Sequence, residues 1–209
     1  SRRQKLYELR QYMEQKGGDE VLLSSLEDIA WLMNLRGNDV KHTPVFLAFA
    51  KIDKASVQLY ADRSAFSEKA TAALAEDGII LKPYMEVYDD LKKLSKEKLM
   101  YDPVKVNYAL SQCVPKSVSV ISSDINEMIP KSVKNETELD NLRRIHIKDG
   151  VAVTKFMYWL KTNVGRIPIS EISASDYLEK LRSDIDTYLD LSFDTISAYK
   201  ANAAMMHYS

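Results

Sequence analysis

The chain has 209 residues, which is enough for one large domain or for one domain and part of a second. A formal net charge of -1 provides no long-range field for nucleic acid or an anionic membrane, so neither is expected as a partner. The single cysteine, Cys113, excludes an intramolecular disulfide, and no signal-peptide pattern is present, so we expect a cytoplasmic protein.

Strand and helix patterns alternate from Glu20 to Ile121, which predicts an α/β layer with a mixed sheet. An amphipathic helix opens the chain and ends at Gly17-Gly18. The predicted strands are residues 20–24, 45–51, 56–60, 79–82, 98–102 and 117–121, and the second and third of them form a hairpin. The predicted helices between these strands are residues 26–34 and 64–76, one beginning at Pro83, and one from about Pro103 to Gln112.

Residues 128–134 have the polar, proline-broken character of a domain junction, which predicts domains over residues 1–129 and 130–209. The second part opens with a helix of about 27 residues, or roughly 40 Å, whose first turn has a capping-box pattern at Asn135 and Glu138. A second helix begins near residue 170.

The closing residues 192–208 alternate with a period of two, which predicts a hairpin that carries His207 near its end. A lone histidine on a strand is more often a hydrogen-bonded core residue than a catalytic one. Such a hairpin needs a larger sheet than the sequence supplies, so we expect exposed apolar surface, self-association, and a chain that is a segment of a longer protein.

Other candidate residues lie in the loop that contains Arg36, Asp39 and His42. These residue types could bind the polar end of a substrate, although most such loops are turns closed by an Arg–Asp bridge. The pair His146 and Asp149 is typical of helix packing rather than of a metal site. Neither a zinc-type ligand cluster nor a glycine-rich phosphate loop is found in the sequence.

Several stretches together resemble the Xaa-Pro aminopeptidases (aminopeptidase P) of the creatinase, or pita-bread, metallopeptidase family. They are LEDIAWLMNLRGNDVKHTPVF (26–46), KNETELDNLRRIHIKDGVAVTKFMYWL (134–160), ISEISASDYLEKLR (169–182) and SFDTISAYKANAAMMHYS (192–209). The opening RRQKLYELRQYM is also similar to this family. The resemblance spans essentially the whole chain, in order.

The resemblance implies a creatinase-like, ribonuclease-H-like mixed-sheet α/β domain over residues 1–129. Residues 130–209 are then the first helices and hairpin of a truncated α+β pita-bread domain. Enzymes of this family remove an N-terminal residue that precedes proline, and they use two divalent metal ions, expected to be manganese. The implied partners are proline-containing peptides and a second copy of the chain in a homodimer.

His207 matches the family histidine that lines the substrate side, where a donor stabilises the transition state by hydrogen bonding. Arg36, Asp39 and His42 are expected to contact substrate. The metal-binding carboxylates of the family follow the hairpin, so this chain is expected to hold no metal and to be inactive alone. The turn departs from the family pattern, because Lys200-Ala201 stands where Gly-Pro is common.

Two other interpretations remain open. The chain could belong to a non-enzymatic binding protein that retains the fold and acts through the loop at residues 36–42 or through the hairpin surface. It could also belong to a proline dipeptidase or creatinase relative, although the form of the opening helix weighs against this reading.

Overall fold

Six short strands form one mixed sheet in the computed structural model, which describes residues 1–95, 97–124 and 131–208. The strands are β1 (Glu20–Leu23), β2 (Ala48–Asp53), β3 (Val57–Ala61), β4 (Ile79–Lys82), β5 (Lys98–Tyr101) and β6 (Ser119–Ser122). Their order across the sheet is β4-β3-β2-β1-β5-β6. β2 pairs antiparallel with both β1 and β3, and the other pairings are parallel. The predicted mixed sheet is confirmed.

The hairpin of β2 and β3 is closed by Asp53, as the turn residues of the sequence indicate. Its Oδ1 accepts hydrogen bonds from the backbone N–H groups of Ala55 (2.7 Å) and Ser56 (2.6 Å). These bonds form an Asx-type turn, which fixes the register of the two strands because a turn of this kind allows one backbone path. Ala50 consequently lies opposite Leu59.

In the part of the first unit that the structure describes, five helices flank the sheet. They are α1 (Arg2–Lys16), α2 (Leu26–Met33), α3 (Glu68–Glu76), α4 (Glu86–Lys92) and α5 (Tyr108–Cys113). The helices predicted to begin at Pro83 and near Pro103 begin later, because both prolines lie in turns. In α5 the helix start is set by Asn107, whose Oδ1 accepts a hydrogen bond from the backbone N–H of Leu110 (2.9 Å).

The sheet buries one apolar cluster on each face, since successive strand residues point to opposite sides. One cluster contains residues of α1, α2 and α3 together with Ala50 and Leu59. The other contains residues of α4 and α5 together with Phe49 and Tyr60. The first unit, Ser1–Val133, is thus a three-layer α/β sandwich.

The second unit, Lys134–Ser209, contains two long helices, α6 (Glu136–Asn163) and α7 (Glu171–Ser183). The capping box predicted at Asn135 and Glu138 is present at the start of α6. The two helices pack through the rings of Trp159 and Tyr177, which are stacked with centroids 4.2 Å apart. The predicted boundary between residues 129 and 130 lies outside the described residues.

The hairpin predicted for residues 192–208 is not formed. Within the described part of the second unit no residue is assigned to a strand, and Lys200–Ala204 forms a 3₁₀ turn instead. A strand needs a neighbour for its backbone N–H and C=O groups, and the described residues of this unit provide none. The alternation of residues 192–208 therefore indicates a segment that could form a strand, but the described residues of this unit include no strand with which it could pair.

None of the described helices has an apolar stretch long enough to cross a membrane.

Candidate functional site

The last turn of the second unit is held to the start of α7 by one carboxylate. Glu171 Oε1 accepts hydrogen bonds from the backbone N–H of Tyr199 (2.5 Å) and from Asn202 Nδ2 (3.1 Å). Its Oε2 accepts from the Tyr208 hydroxyl (2.7 Å) and from the same Asn202 amide (3.1 Å). Because these donors lie on either side of the turn, Glu171 fixes the stretch that carries His207.

The ionisation of this network follows from its hydrogen bonds. The bond from the Tyr208 hydroxyl, followed by those from Tyr199 and Asn202, holds the pKa of the Glu171 carboxyl below its ordinary value. The same bond raises the pKa of the Tyr208 phenol. At neutral pH the site therefore contains an ionised acceptor and a neutral donor, and bonds of that charge-assisted kind are the stronger ones.

His207 lies inside this anchored stretch, with its side chain exposed and its backbone in the left-handed region at φ 55°. Its neighbours Asn202 and Tyr208 are both bonded to Glu171, and the Asn202 amide lies 3.0 Å from the Tyr208 hydroxyl. Glu171 was not among the residues predicted for the site, and its one signal in the sequence is its position in the first turn of α7.

The loop that contains Arg36, Asp39 and His42 lies in the first unit. Asp39 accepts a hydrogen bond at Oδ2 from the backbone N–H of Leu47 (2.8 Å), so this carboxylate shapes the loop itself. Asp39 also lines a cleft of about 380 Å³, whereas Arg36 and His42 do not line it. Arg36 is exposed, and His42 is half-buried with φ 62°.

Gly37 lets this loop pack closely on the residues before β2. A Cβ atom at this position would lie 2.7 Å from the Cβ of Phe46 and 2.9 Å from the carbonyl oxygen of Val45. Real Cβ atoms are not found so close to a neighbouring carbon, so a larger residue would displace the loop. The position of Asp39 therefore depends on this glycine.

A buried ion network, which the sequence analysis also missed, lies at the carboxyl ends of β1, β5 and β6. Asp28, only 2% exposed, accepts hydrogen bonds from Lys131 Nζ (2.6 Å) and Lys105 Nζ (3.1 Å). Burial acts to raise the pKa of Asp28, but the hydrogen bonds from Lys131, Lys105 and Ser25, together with the charge of Lys131, outweigh it and the pKa lies below its ordinary value. The bonds from the two lysines connect α2 to Lys105, which follows β5, and to Lys131 near the end of the first unit.

The resemblance implies two metal ions in the parent enzyme. Among residues 1–95, 97–124 and 131–208, no three His, Cys, Asp or Glu side chains group closely enough to hold a metal ion. The described residues thus do not fit the expected pair of ions.

The sequence of this chain is similar to those of known proteins. The sequence profile of the creatinase/prolidase N-terminal domain matches residues 1–138. The chain belongs to this family. The profile covers the whole of the first unit, Ser1–Val133, so the mixed α/β sandwich is the fold of the family domain.

Relatives in this family extend the likeness across both units. A probable Xaa-Pro aminopeptidase P of Botryotinia fuckeliana is 37% identical over 216 residues, which cover 98% of this chain and 33% of the relative. Xaa-Pro aminopeptidase 1 of Dictyostelium discoideum is 35% identical over 212 residues, with the same coverage of 98% and 33%. The chain therefore spans about a third of the length of the curated relatives that it matches.

A solved structure supports the same likeness. The X-prolyl aminopeptidase of Caenorhabditis elegans superposes with a TM-score of 0.88 at 28% identity, over 95% of this chain and 34% of that one. That protein is described as a cytosolic enzyme with a di-nuclear active site. The resemblance to Xaa-Pro aminopeptidases that the sequence indicated is confirmed.

Proposed function

We propose that this chain is part of a metal-dependent Xaa-Pro aminopeptidase, which hydrolyses the N-terminal peptide bond that precedes proline. The observation that carries the proposal is similarity over 98% of the chain to proteins named Xaa-Pro aminopeptidases. Residues 1–129 are assigned to the creatinase-like domain and residues 130–209 to the start of the pita-bread catalytic domain. The C. elegans structure, with a TM-score of 0.88, supports this assignment.

The metal ions of the parent enzyme are assigned to residues outside this chain. Two divalent ions, with manganese as the expected metal, activate a water molecule in such enzymes. The description of the C. elegans enzyme as di-nuclear supports the number of ions. We accordingly expect this chain alone to have no peptidase activity.

His207 is proposed to donate a hydrogen bond to the scissile carbonyl or to the tetrahedral intermediate. Its exposure supports this role, and the Glu171 network restrains the backbone on either side of it. A restrained donor is effective because little reorganisation is needed as charge develops on the substrate oxygen. Arg36, Asp39 and His42 remain candidates for substrate contacts, supported by the position of their loop at a sheet edge.

The cellular location, substrates and oligomeric state of the parent enzyme are also proposed from its relatives and from the sequence. The description of the C. elegans protein as cytosolic and the single cysteine of this chain both support a cytoplasmic location. Proline-containing peptides are the proposed substrates, since the relatives are named for that specificity. A homodimer is proposed from the resemblance alone.

The experiment that tests the proposal uses the parent protein and this chain in parallel. Tripeptides with proline in the second position are expected to lose their first residue when the parent protein is supplied with Mn²⁺, and a chelator is expected to abolish the reaction. Peptides with alanine in the second position serve as the matched control. A metal-loaded parent that cleaves neither peptide, or cleaves both equally, would contradict the proposal.

A further inference from the structure

A cleft of about 380 Å³ opens at one edge of the sheet in the first unit. Its lining includes Ala61, which ends β3, Tyr84, two residues past β4, and Leu47, directly before β2. In α/β sheets, the edge formed by the carboxyl ends of parallel strands is the usual place for ligands. A volume of this size is also within the range of small-molecule and side-chain sites.

The walls of the cleft are aromatic. Phe46 and Phe66 meet edge to face with ring centroids 5.5 Å apart, and the ring of Tyr84 packs on Phe49 at 4.9 Å. These contacts hold the rings in place in the absence of a ligand, so a ligand that binds there meets preformed surfaces. Aromatic faces of this kind attract cations, and the planar guanidinium group most of all.

Two carboxylates complete the lining, and the described residues that line it include no lysine, arginine or histidine. Asp62 Oδ1 accepts hydrogen bonds from the backbone N–H (2.9 Å) and hydroxyl (2.8 Å) of Ser64. Asp39 uses Oδ2 for the backbone N–H of Leu47. Each carboxylate has a second oxygen with its own acceptor capacity, so both can bind a further donor while they keep these bonds.

We propose that this cleft binds the guanidinium group of an arginine side chain in a peptide. The rings stack against the guanidinium plane, and Asp39 and Asp62 supply charge-assisted hydrogen bonds. The proposal does not rest on the proposed peptidase activity, because every residue that lines the cleft belongs to the first unit.

The test compares two peptides on the whole chain, acetyl-Gly-Arg-Gly-amide and the same peptide with citrulline, which is neutral and nearly the same shape. By calorimetry at low ionic strength we expect the arginine peptide to bind at least about tenfold more tightly, since it alone offers charge-assisted bonds. In nuclear magnetic resonance spectra, the backbone amides of Leu47, Ala61 and Ala65 are expected to shift. Equal affinity for the two peptides, or shifts confined to other residues, would overturn the proposal.

Two double variants that remove the same charge distinguish binding in the cleft from a general electrostatic attraction between the chain and the arginine peptide. The double substitution Asp39→Asn/Asp62→Asn keeps the acceptor oxygens that shape the backbone but removes both charges, and it is expected to equalise the two affinities. The control Asp89→Asn/Asp140→Asn removes the same charge at exposed positions and is expected to keep the preference for arginine. Loss of the preference in the control as well would count against the cleft. If the Asp39→Asn/Asp62→Asn variant does not fold, the affinities of the unmodified chain for the two peptides still test the proposal.

Discussion

At the start of α7, one carboxylate accepts hydrogen bonds from donors that lie 28, 31 and 37 residues further along the chain. Ordering so distant a stretch is opposed by backbone entropy of roughly 1–2 kcal/mol per residue, so several bonds are needed to hold it. A carboxylate suits this task because its two oxygens can serve several donors at once. A glutamine in place of Glu171 would offer one acceptor oxygen and no charge, so it could not serve all of these donors in the same way.

The first prediction concerns the substitution Glu171→Gln. Loss of the ionised acceptor is expected to weaken the bond to the Tyr199 amide and to speed the hydrogen exchange of that amide at neutral pH. Glu179→Gln, on the same helix, is the matched control and is expected to leave this exchange rate unchanged. The hydrogen exchange of single amides, followed by nuclear magnetic resonance, provides the measurement.

Acid provides a second readout of the same contact. Because the pKa of Glu171 is lowered in the folded chain, its contribution is fully present above the ordinary value of 4.5 and is lost as the pH falls through the lowered pKa. The protection of the Tyr199 amide should therefore decline only below pH 4.5, and it should not show this step in the glutamine variant. An unaltered step in that variant would assign the effect to another group.

The second prediction concerns His207→Ala in the parent enzyme. Removal of a transition-state donor is expected to lower kcat by about 10²- to 10³-fold with little change in KM. His146→Ala is the control, since that exposed histidine bonds to the carbonyl oxygen of Leu142 on its own helix. Steady-state kinetics on an Xaa-Pro peptide distinguish the two variants, and equal losses would remove His207 from the proposed role.

The residues of the site were predictable from the sequence to different degrees. His207 and Asp39 were candidates because their residue types suit catalysis and binding. Glu171 was not, because a glutamate in the first turn of a helix is common and its partners are too far along the chain to be paired by spacing. Asp28 was missed for the same reason, since its lysines lie 77 and 103 residues away.

At the scale of elements, the pairing of β1 with β2 contains a buried charge pair. Lys51 Nζ lies 3.1 Å from Glu20 Oε1 and 3.2 Å from Oε2, and both side chains are largely shielded from solvent. Burial raises the pKa of Glu20 more than the nearby Lys51 ammonium lowers it, so the pKa lies above its ordinary value. Burying the Glu20–Lys51 pair thus costs desolvation free energy, and removing one partner costs more because it leaves an uncompensated buried charge.

The third prediction concerns Lys51→Met, which leaves the buried Glu20 without its partner. We expect a loss of about 3 kcal/mol in the free energy of unfolding at pH 7. The loss should become smaller as the pH falls toward 4.5, because a protonated Glu20 needs no counter-charge. Urea unfolding monitored by circular dichroism gives both values.

Lys54→Met is the control for that substitution, since the side chain of Lys54 is 66% exposed directly after β2. Its effect is expected to stay within about 0.5 kcal/mol, as for most surface substitutions. Equal losses for the two lysines would show that the Glu20 pair has no special weight in the stability of the sheet.

The periodic patterns of the sequence predicted the strands and helices of the first unit, because each of these elements has a neighbouring element to pack or pair with. The alternation of residues in β2 and β3 agrees with the two apolar clusters, in which Phe49 and Tyr60 share one face of the sheet and Ala50 and Leu59 the other. The same alternation failed for residues 192–208, since a strand depends on a neighbour that periodicity does not reveal. Helix starts after Pro83 and Pro103 were misplaced because a proline suits a turn as well as a first helical turn.

At the scale of the whole molecule, α6 carries an apolar stripe on the surface. Ile147, Val151 and Tyr158 are 70%, 50% and 72% exposed, and their spacing of four and seven residues places them on one helix face. Contiguous apolar surface of this kind promotes association in water. The self-association expected from the sequence thus has a candidate surface on α6, in addition to the exposed apolar side chains of residues 192–208, among them Phe193 and Met206.

The fourth prediction follows from this stripe. The chain is expected to form oligomers at high concentration, and Val151→Lys is expected to shift it toward the monomer because a charge would be buried in the contact. Gln11→Lys adds the same charge at an exposed position of α1 and should have no such effect. Light scattering over a concentration series provides the measurement, and a monodisperse unmodified chain would contradict the prediction.

Among the described strands, β2 is the one that runs against the others. Its reversal brings the loop before it, with Asp39 and Leu47, to the edge where β3 and β4 end. This loop joins a helix to an antiparallel strand, so it belongs to none of the right-handed crossovers that build the parallel part of the sheet. Substitutions of exposed residues in this loop can therefore change what it binds without disturbing the parallel frame, which makes the loop a suitable place to engineer new recognition properties.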